Sequence, residues 1–343
     1  MLTIIHRRHG DPAEVLELSD SPGPLCPGRS QVLIRVACVA IHPGDLQGIA
    51  GAPSFGAPPF IGDKGRIPGF EGVGVIEAVG AGVDAALGLE TGQRVAYFPI
   101  ENGWAEQVLA SAEAVAVLPD EVSFEVAAQA LINTASAEII VRAGHDAWPD
   151  DKRREVLVLQ SGAASAVGRI VTTLLNGYGV RTIRLVRSVA SARRLEAEAG
   201  SDPVIAMEDA EWTEKLRAAV AGRDIHVALD GVGGNTLPRV AEVLSLGGTI
   251  ISYGVLGGDA TDIRLLIPRG LTIKGVSIAQ LSTLSHDLRA ACVATAMRLA
   301  ASRPEIFPVE AVYAPTRIRQ AVDHLCRPGR SGAILLDFGG TSI

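Results

Sequence analysis

The chain has 343 residues, of which 48% are hydrophobic, and carries a formal net charge of -7. That length exceeds one ordinary hydrophobic core and predicts two domains, while the acidic balance excludes a sequence-independent nucleic-acid surface, which needs a basic face. No apolar stretch approaches the roughly 20 residues that span a bilayer, the N-terminus MLTIIHRRHGDPAEV lacks an apolar signal core, and four cysteines without a CxxC pair fit reduced thiols; a cytoplasmic protein acting on small molecules is expected.

From Leu2 to about Val122, short β-branched runs (VLIRVACVAI, VGVIEAVG, QRVAYF, AEQVLA, AVAVLP) alternate with Pro and Gly turns, the texture of a small barrel or sandwich. The segment from Ile49 to Pro68 is too rich in Gly and Pro for a regular element and reads as a loop over a cleft. Helical spacing begins with SFEVAAQALINTASAEIIVRAG, where Ser123 is a candidate N-cap and Gly144 a stop.

Beyond it, EVLVLQ, the small-residue loop SGAASAVG, the helical run RIVTTLLNGYG and the strand ending in Arg187 form one βαβ unit. Strand and helix patterns then alternate through a helix near Ala190 to Gly200, PVIAM, a helix near Trp212 to Ala221, IHVALD, a helix from Asn235, TIISYG and LTIKGVSIA, the pattern of a doubly wound parallel sheet. After a helix from about Leu284 to Ser302, the elements FPVEAVYA, TRIRQAVDHLC and GAILLDF are expected to rejoin the first domain.

In a parallel βαβ unit the loop lies at the carboxyl edge of the sheet, where free N–H groups and the helix dipole favour an anion such as a dinucleotide pyrophosphate. Gly162, Ala163, Ala164, Ser165, Ala166 and Val167 are the candidate contacts; of the glycines in a GxGxxG pattern only Gly168 is kept. Arg187 stands about where NAD-binding folds place an acidic residue on the ribose 2′-hydroxyl, roughly 20 residues past the loop. A guanidinium there, with Ser188, suits a 2′-phosphate, and NADPH is the expected cofactor.

The ordered motifs PGFEGVGVIEAVG, TGQRVAYF, SGAASAVG, ALDGVGG and ISYG resemble the medium-chain dehydrogenase/reductase superfamily over nearly the whole chain, closest to its zinc-free quinone oxidoreductases and 2-enoyl thioester reductases. The resemblance implies an α/β protein: a GroES-like β-barrel catalytic domain (1–122 and 304–343) plus a Rossmann cofactor domain (123–303). Ser165 tilts toward the thioester reductases.

Where zinc enzymes of the superfamily place a Cys and a His, this chain has His42 and Phe70, and a phenylalanine cannot bind metal. The implied chemistry is zinc-independent hydride transfer to an activated C=C bond or a quinone. The thioester reductases' tyrosine is absent, Pro53 standing near its position, which leaves water, a cofactor ribose hydroxyl or His42 to supply the proton. Asp45 is expected to order the turn after Pro43, and Glu71 to bond backbone groups.

By the same resemblance Asn133, Tyr253, Gly254, Val255 and Leu256 pass the nicotinamide side, and Gly231, Gly233 and Gly234 form a turn near the adenine. A non-catalytic NADPH-binding protein, as in lens crystallins, and a zinc alcohol dehydrogenase are the alternatives. LTIKGVSIA at a sheet edge predicts a homodimer.

Overall fold

β-Branched runs become strands where alternate side chains have a core to enter, and the first part of the chain does this repeatedly. The computed structural model describes all residues except 24, 53–56, 149–155, 199–201, 259–261 and 340–343. Pro53, Glu155 and Gly200, each used in the sequence reading, lie outside the described residues.

The elements of this part are β1 (Leu2–His6), α1 (Pro12–Val15), β2 (Leu16–Asp20), β3 (Gln31–Ala40), α2 (Pro43–Ala50), β4 (Gly72–Val79), β5 (Arg94–Tyr97), β6 (Gln107–Ser111) and β7 (Val115–Val117). β3 is the hub, antiparallel to both β4 and β6. Its Val32, Ile34 and Val36 join Ile76, Val95 and Trp104 in a core from which water is excluded. Helix α2 takes up Ile49 and Ala50, which the sequence had assigned to the loop, and stops at Gly51, whose φ of 96° is left-handed.

Ser123 does cap a helix, α3 (Phe124–Ala127), accepting the Val126 N–H at 3.3 Å. The expected single helix is two, however, and the second, α4 (Ala130–Asp146), runs through Gly144. A Cβ at Gly144 would come within 3.0 Å of Leu229 Cδ2. The glycine lets a helix approach a strand and does not end the helix.

The middle of the chain gives β8 (Leu157–Ser161), α5 (Ala166–Gly177), β9 (Arg181–Val186), α6 (Val189–Glu198), β10 (Val204–Ala206), α7 (Trp212–Val220), β11 (Val227–Asp230), α8 (Leu237–Val243), β12 (Thr249–Ser252) and β13 (Thr272–Gly275). A 3₁₀ turn, Gly234–Thr236, precedes α8 at the helix start expected at Asn235. The six strands form one sheet in the order β10-β9-β8-β11-β12-β13, every pairing parallel. Strand order reverses between β8 and β11, and the crevice at such a reversal is where doubly wound sheets bind ligands.

The chain returns through α9 (His286–Ser302), β14 (Val309–Tyr313), α10 (Ile318–Cys326) and β15 (Ala333–Asp337). β15 lies antiparallel to β3, so the C-terminus rejoins the first sheet as expected. Two units result, residues 1–132 with 293–343 and residues 133–292. Among the described residues no helix is long and apolar enough to cross a membrane.

Candidate active site

The nucleotide-binding candidates collect at the carboxyl ends of β8, β9 and β12, on one edge of the parallel sheet. Gly162 turns the chain out of β8 with φ at 64°, and Ala163 is buried in a small apolar cluster with Val186, Ala192 and Leu195. Ser165 is the N-cap of α5, its hydroxyl accepting the Gly168 N–H at 3.0 Å. A Cβ at Gly168 would fall 2.3 Å from Gly162 O, so the one glycine kept from the pattern is the one that brings helix against strand. Ala166 and Val167 form the first turn of α5, where N–H groups have no intrahelical acceptor and suit an anion, while Ala164 is half-buried in the loop before them.

Arg187 follows the last residue of β9 and is exposed. Beside it, the Ser188 hydroxyl accepts the Ser191 N–H at 3.2 Å and contacts the Ser191 hydroxyl at 3.0 Å, and the Glu208 carboxylate accepts the Val189 N–H at 2.7 Å. Ser188 is therefore a cap of α6 first. Arg187, by contrast, is exposed.

Across the crevice, the Ser161 hydroxyl donates to Asp230 Oδ1 at 2.5 Å, and Asp230 Oδ2 accepts the Gly233 N–H at 3.0 Å. No motif or spacing pointed to this buried bond between β8 and β11. Tyr253, expected to face the nicotinamide, buries its hydroxyl against Gly231, where a Cβ would stand 2.7 Å from it. Burial and the charge of Asp230 push the phenol pKa up, so it stays protonated.

Gly231 and Gly233 are spent on packing. A Cβ on Gly254 would lie 2.1 Å from Gly231 O, and one on Gly257 would lie 2.2 Å from Gly233 O, so the loops after β11 and β12 dock backbone on backbone. The hydrogen bonds Gly257 N–H to Val232 O and Asn235 N–H to Gly257 O lock them at 2.8 and 3.1 Å. Val255 and Leu256 point outward, 59% and 65% exposed. Asn133 is buried near the start of α4.

In the other unit, His42 follows the end of β3 and starts α2. Asp45 Oδ2 accepts the His42 N–H at 2.8 Å, so the expected turn-ordering role holds. Glu71 also meets its expectation: Oε1 accepts the Ile132 N–H at 2.9 Å. Its other oxygen does what the sequence did not show, lying 2.9 Å from His42 Nε2. The two residues are 29 apart in the chain, and no spacing in the sequence pointed to the pairing.

Burial alone would lower the imidazole pKa, but the hydrogen bond and charge of Glu71, with the charge of Asp45, outweigh it and raise it. Phe70 stacks on the ring, centroids 5.3 Å apart and planes 18° from parallel. Against Asp45 and Phe70 lies a cavity of about 420 Å³, walled by Ile49, Ile67, Ile100 and the charged Arg66 and Glu101.

Asp45 is only 5% exposed, and burial first of all pushes its carboxyl up to about 6. A carboxyl pKa raised on folding stabilises the fold at low pH, and that contribution is lost as pH rises through the folded value. Asp45→Asn keeps an oxygen for the His42 N–H and removes the buried charge. The variant is expected to gain over wild type as pH rises from about 4 to 8, reaching about 3 kcal/mol; thermal melts across that range measure it, and a pH-independent difference would contradict it.

These residues do not fit a catalytic zinc: Phe70 offers no donor atom, and Nε2 of His42 is held by Glu71. Among the described residues no three His, Cys, Asp or Glu side chains are grouped to hold a metal.

Comparison with known proteins gives two family models in succession, the alcohol dehydrogenase GroES-like domain over residues 28–142 and the zinc-binding dehydrogenase domain over residues 166–297. A mitochondrial enoyl-[acyl-carrier-protein] reductase of Caenorhabditis elegans is 26% identical over 319 residues, covering 90% of this chain and 88% of the relative. A quinone oxidoreductase of Sus scrofa is 24% identical over 334 residues, covering 94% of each. A mycobacterial protein solved with NADPH superimposes with a TM-score of 0.82 at 25% identity, over 98% of this chain and 100% of that one. The chain belongs to the medium-chain dehydrogenase/reductase superfamily, in the branch of the quinone oxidoreductases and enoyl thioester reductases.

Proposed function

We propose that the protein is an NADPH-dependent, zinc-independent reductase acting on an activated C=C bond, in an enone or enoyl thioester, or on a quinone. The observation that carries the reading is the buried Glu71–His42 pair, next to the Asp45 and Phe70 of the cavity wall: a carboxylate fully out of solvent, 2.9 Å from an imidazole whose pKa it raises. Of the relatives named above, one is an enoyl-[acyl-carrier-protein] reductase, one a quinone oxidoreductase, and one was solved with NADPH.

When bound, NADPH supplies the hydride. The chain's own residues do the rest. The N–H groups of Ala166 and Val167 hold the pyrophosphate, Arg187 takes the 2′-phosphate, and Asn133 with the backbone of Tyr253 to Leu256 serves the nicotinamide side. His42, its pKa raised by Glu71, gives its proton to the α-carbon or quinone oxygen as negative charge develops there.

The same reading makes the protein a cytoplasmic homodimer. β13 is an edge strand with Thr272, Lys274 and Gly275 exposed, a surface suited to pairing with a second copy. Purified protein, its mass set by light scattering, should run as a dimer and consume NADPH with at least one class among enones, enoyl thioesters and quinones. NADPH binding without turnover over that panel would favour a non-catalytic binding protein, and stoichiometric zinc would favour an alcohol dehydrogenase.

A further inference from the structure

Asp230 ends β11 and is fully buried, and no step of the function above uses it. Donors meet both of its carboxylate oxygens. The Ser161 hydroxyl and the Val232 N–H reach Oδ1 at 2.5 and 3.3 Å, and the Gly233 N–H reaches Oδ2 at 3.0 Å. The Ser161 oxygen in turn accepts the Gly231 N–H at 3.1 Å. Burial pushes the carboxyl pKa up, and the bonds to Ser161, Val232 and Gly233 pull against it. Because these three partners all donate, the ionised group, an acceptor on both oxygens, is the form that satisfies them together.

One side chain thus joins the end of β8 to the loop that leaves β11. The loop after β12 rests on that loop backbone to backbone, Gly254 against Gly231 and Gly257 against Gly233, so a shift of Gly233 displaces it too. Residues 253–256 of the second loop are those assigned to the nicotinamide side. Arg187, assigned to the 2′-phosphate on the adenosine half, stands just past β9, a strand that the Asp230 carboxylate does not bond.

We propose that Asp230 is a positioning residue: without touching NADPH, its carboxylate sets the place of residues 253–256 through the loop after β11, and so governs the grip on the nicotinamide half alone. The proposal rests on the nicotinamide-side assignment made under the function above. Asp230→Asn separates the two halves because an amide of the same shape has one acceptor oxygen. Whichever way it turns, its NH2 faces a donor of the β11 loop, either Gly233 N–H or Val232 N–H, whereas the Ser161 hydroxyl can accept as well as donate and keeps β8 tied.

Cofactor-free protein is titrated with NADPH, followed by nicotinamide fluorescence, and with adenosine 2′,5′-bisphosphate, which lacks the nicotinamide half, followed by calorimetry. In Asp230→Asn the NADPH dissociation constant is expected to rise about tenfold, and that of the bisphosphate to change by less than about twofold. Equal losses for the two ligands, or no loss for either, in a variant shown by circular dichroism to be folded would overturn the proposal. If that variant does not fold, Ser161→Ala decides: it takes one donor from the carboxylate and the acceptor from Gly231 N–H, and about a threefold loss confined to NADPH is expected, an unchanged NADPH affinity being the contrary result. The split without NADPH turnover on enones, enoyl thioesters and quinones would count against the reductase and leave the role of Asp230 standing; turnover without the split would do the reverse.

Discussion

His42→Gln should lower kcat by about two to four orders of magnitude, the usual worth of one positioned proton donor, while leaving NADPH affinity unchanged. Glutamine preserves a side-chain amide for Glu71 and the backbone N–H for Asp45, so α2 should start as before; what is lost is the transferable proton. Because Glu71 and Asp45 raise the imidazole pKa above its ordinary value, the wild-type rate should fall as pH rises through the folded value, later than for a free imidazole. His42 and Asp45 act on each other's charge, so the falling limb belongs to the pair. Steady-state kinetics across pH decide the point: a His42→Gln enzyme at wild-type rate would move the proton to water or to a ribose hydroxyl.

Arg187→Glu is expected to weaken NADPH binding about a hundredfold or more and to change NADH binding little. The size follows from the neighbours. Ser188 is committed to capping α6 and Glu208 to the Val189 N–H; Arg187 is the exposed cation next to the strand end, Arg194 standing further along α6 with Nη2 3.3 Å from the Ser191 hydroxyl, and the substitution replaces attraction with repulsion. Equilibrium dissociation constants for both nucleotides measure it. An unchanged preference would mean that another group reads the phosphate.

The doubly wound half was legible because buried parallel strands write themselves as unbroken apolar runs, as in LVLQS and RTIRLV, with a small-residue turn between strand and helix. Gly144 misled for a physical reason: a glycine that ends a helix and one that lets a helix touch a strand look alike until Leu229 is placed beside it. Tyr253 turned inward for a comparable reason, since the space it fills exists only because Gly231 lacks a side chain. The Glu71–His42 bond and the burial of Asp45 depend on three-dimensional neighbours that no spacing rule encodes.

The docking of the loops after β11 and β12 has a consequence for redesign. With carbonyls and amides of one loop resting directly on those of the other, any side chain introduced at residues 231, 233, 254 or 257 has nowhere to go. Libraries meant to retune the nucleotide edge should therefore leave those four positions alone and draw their diversity from Val255 and Leu256, whose side chains already project into open space.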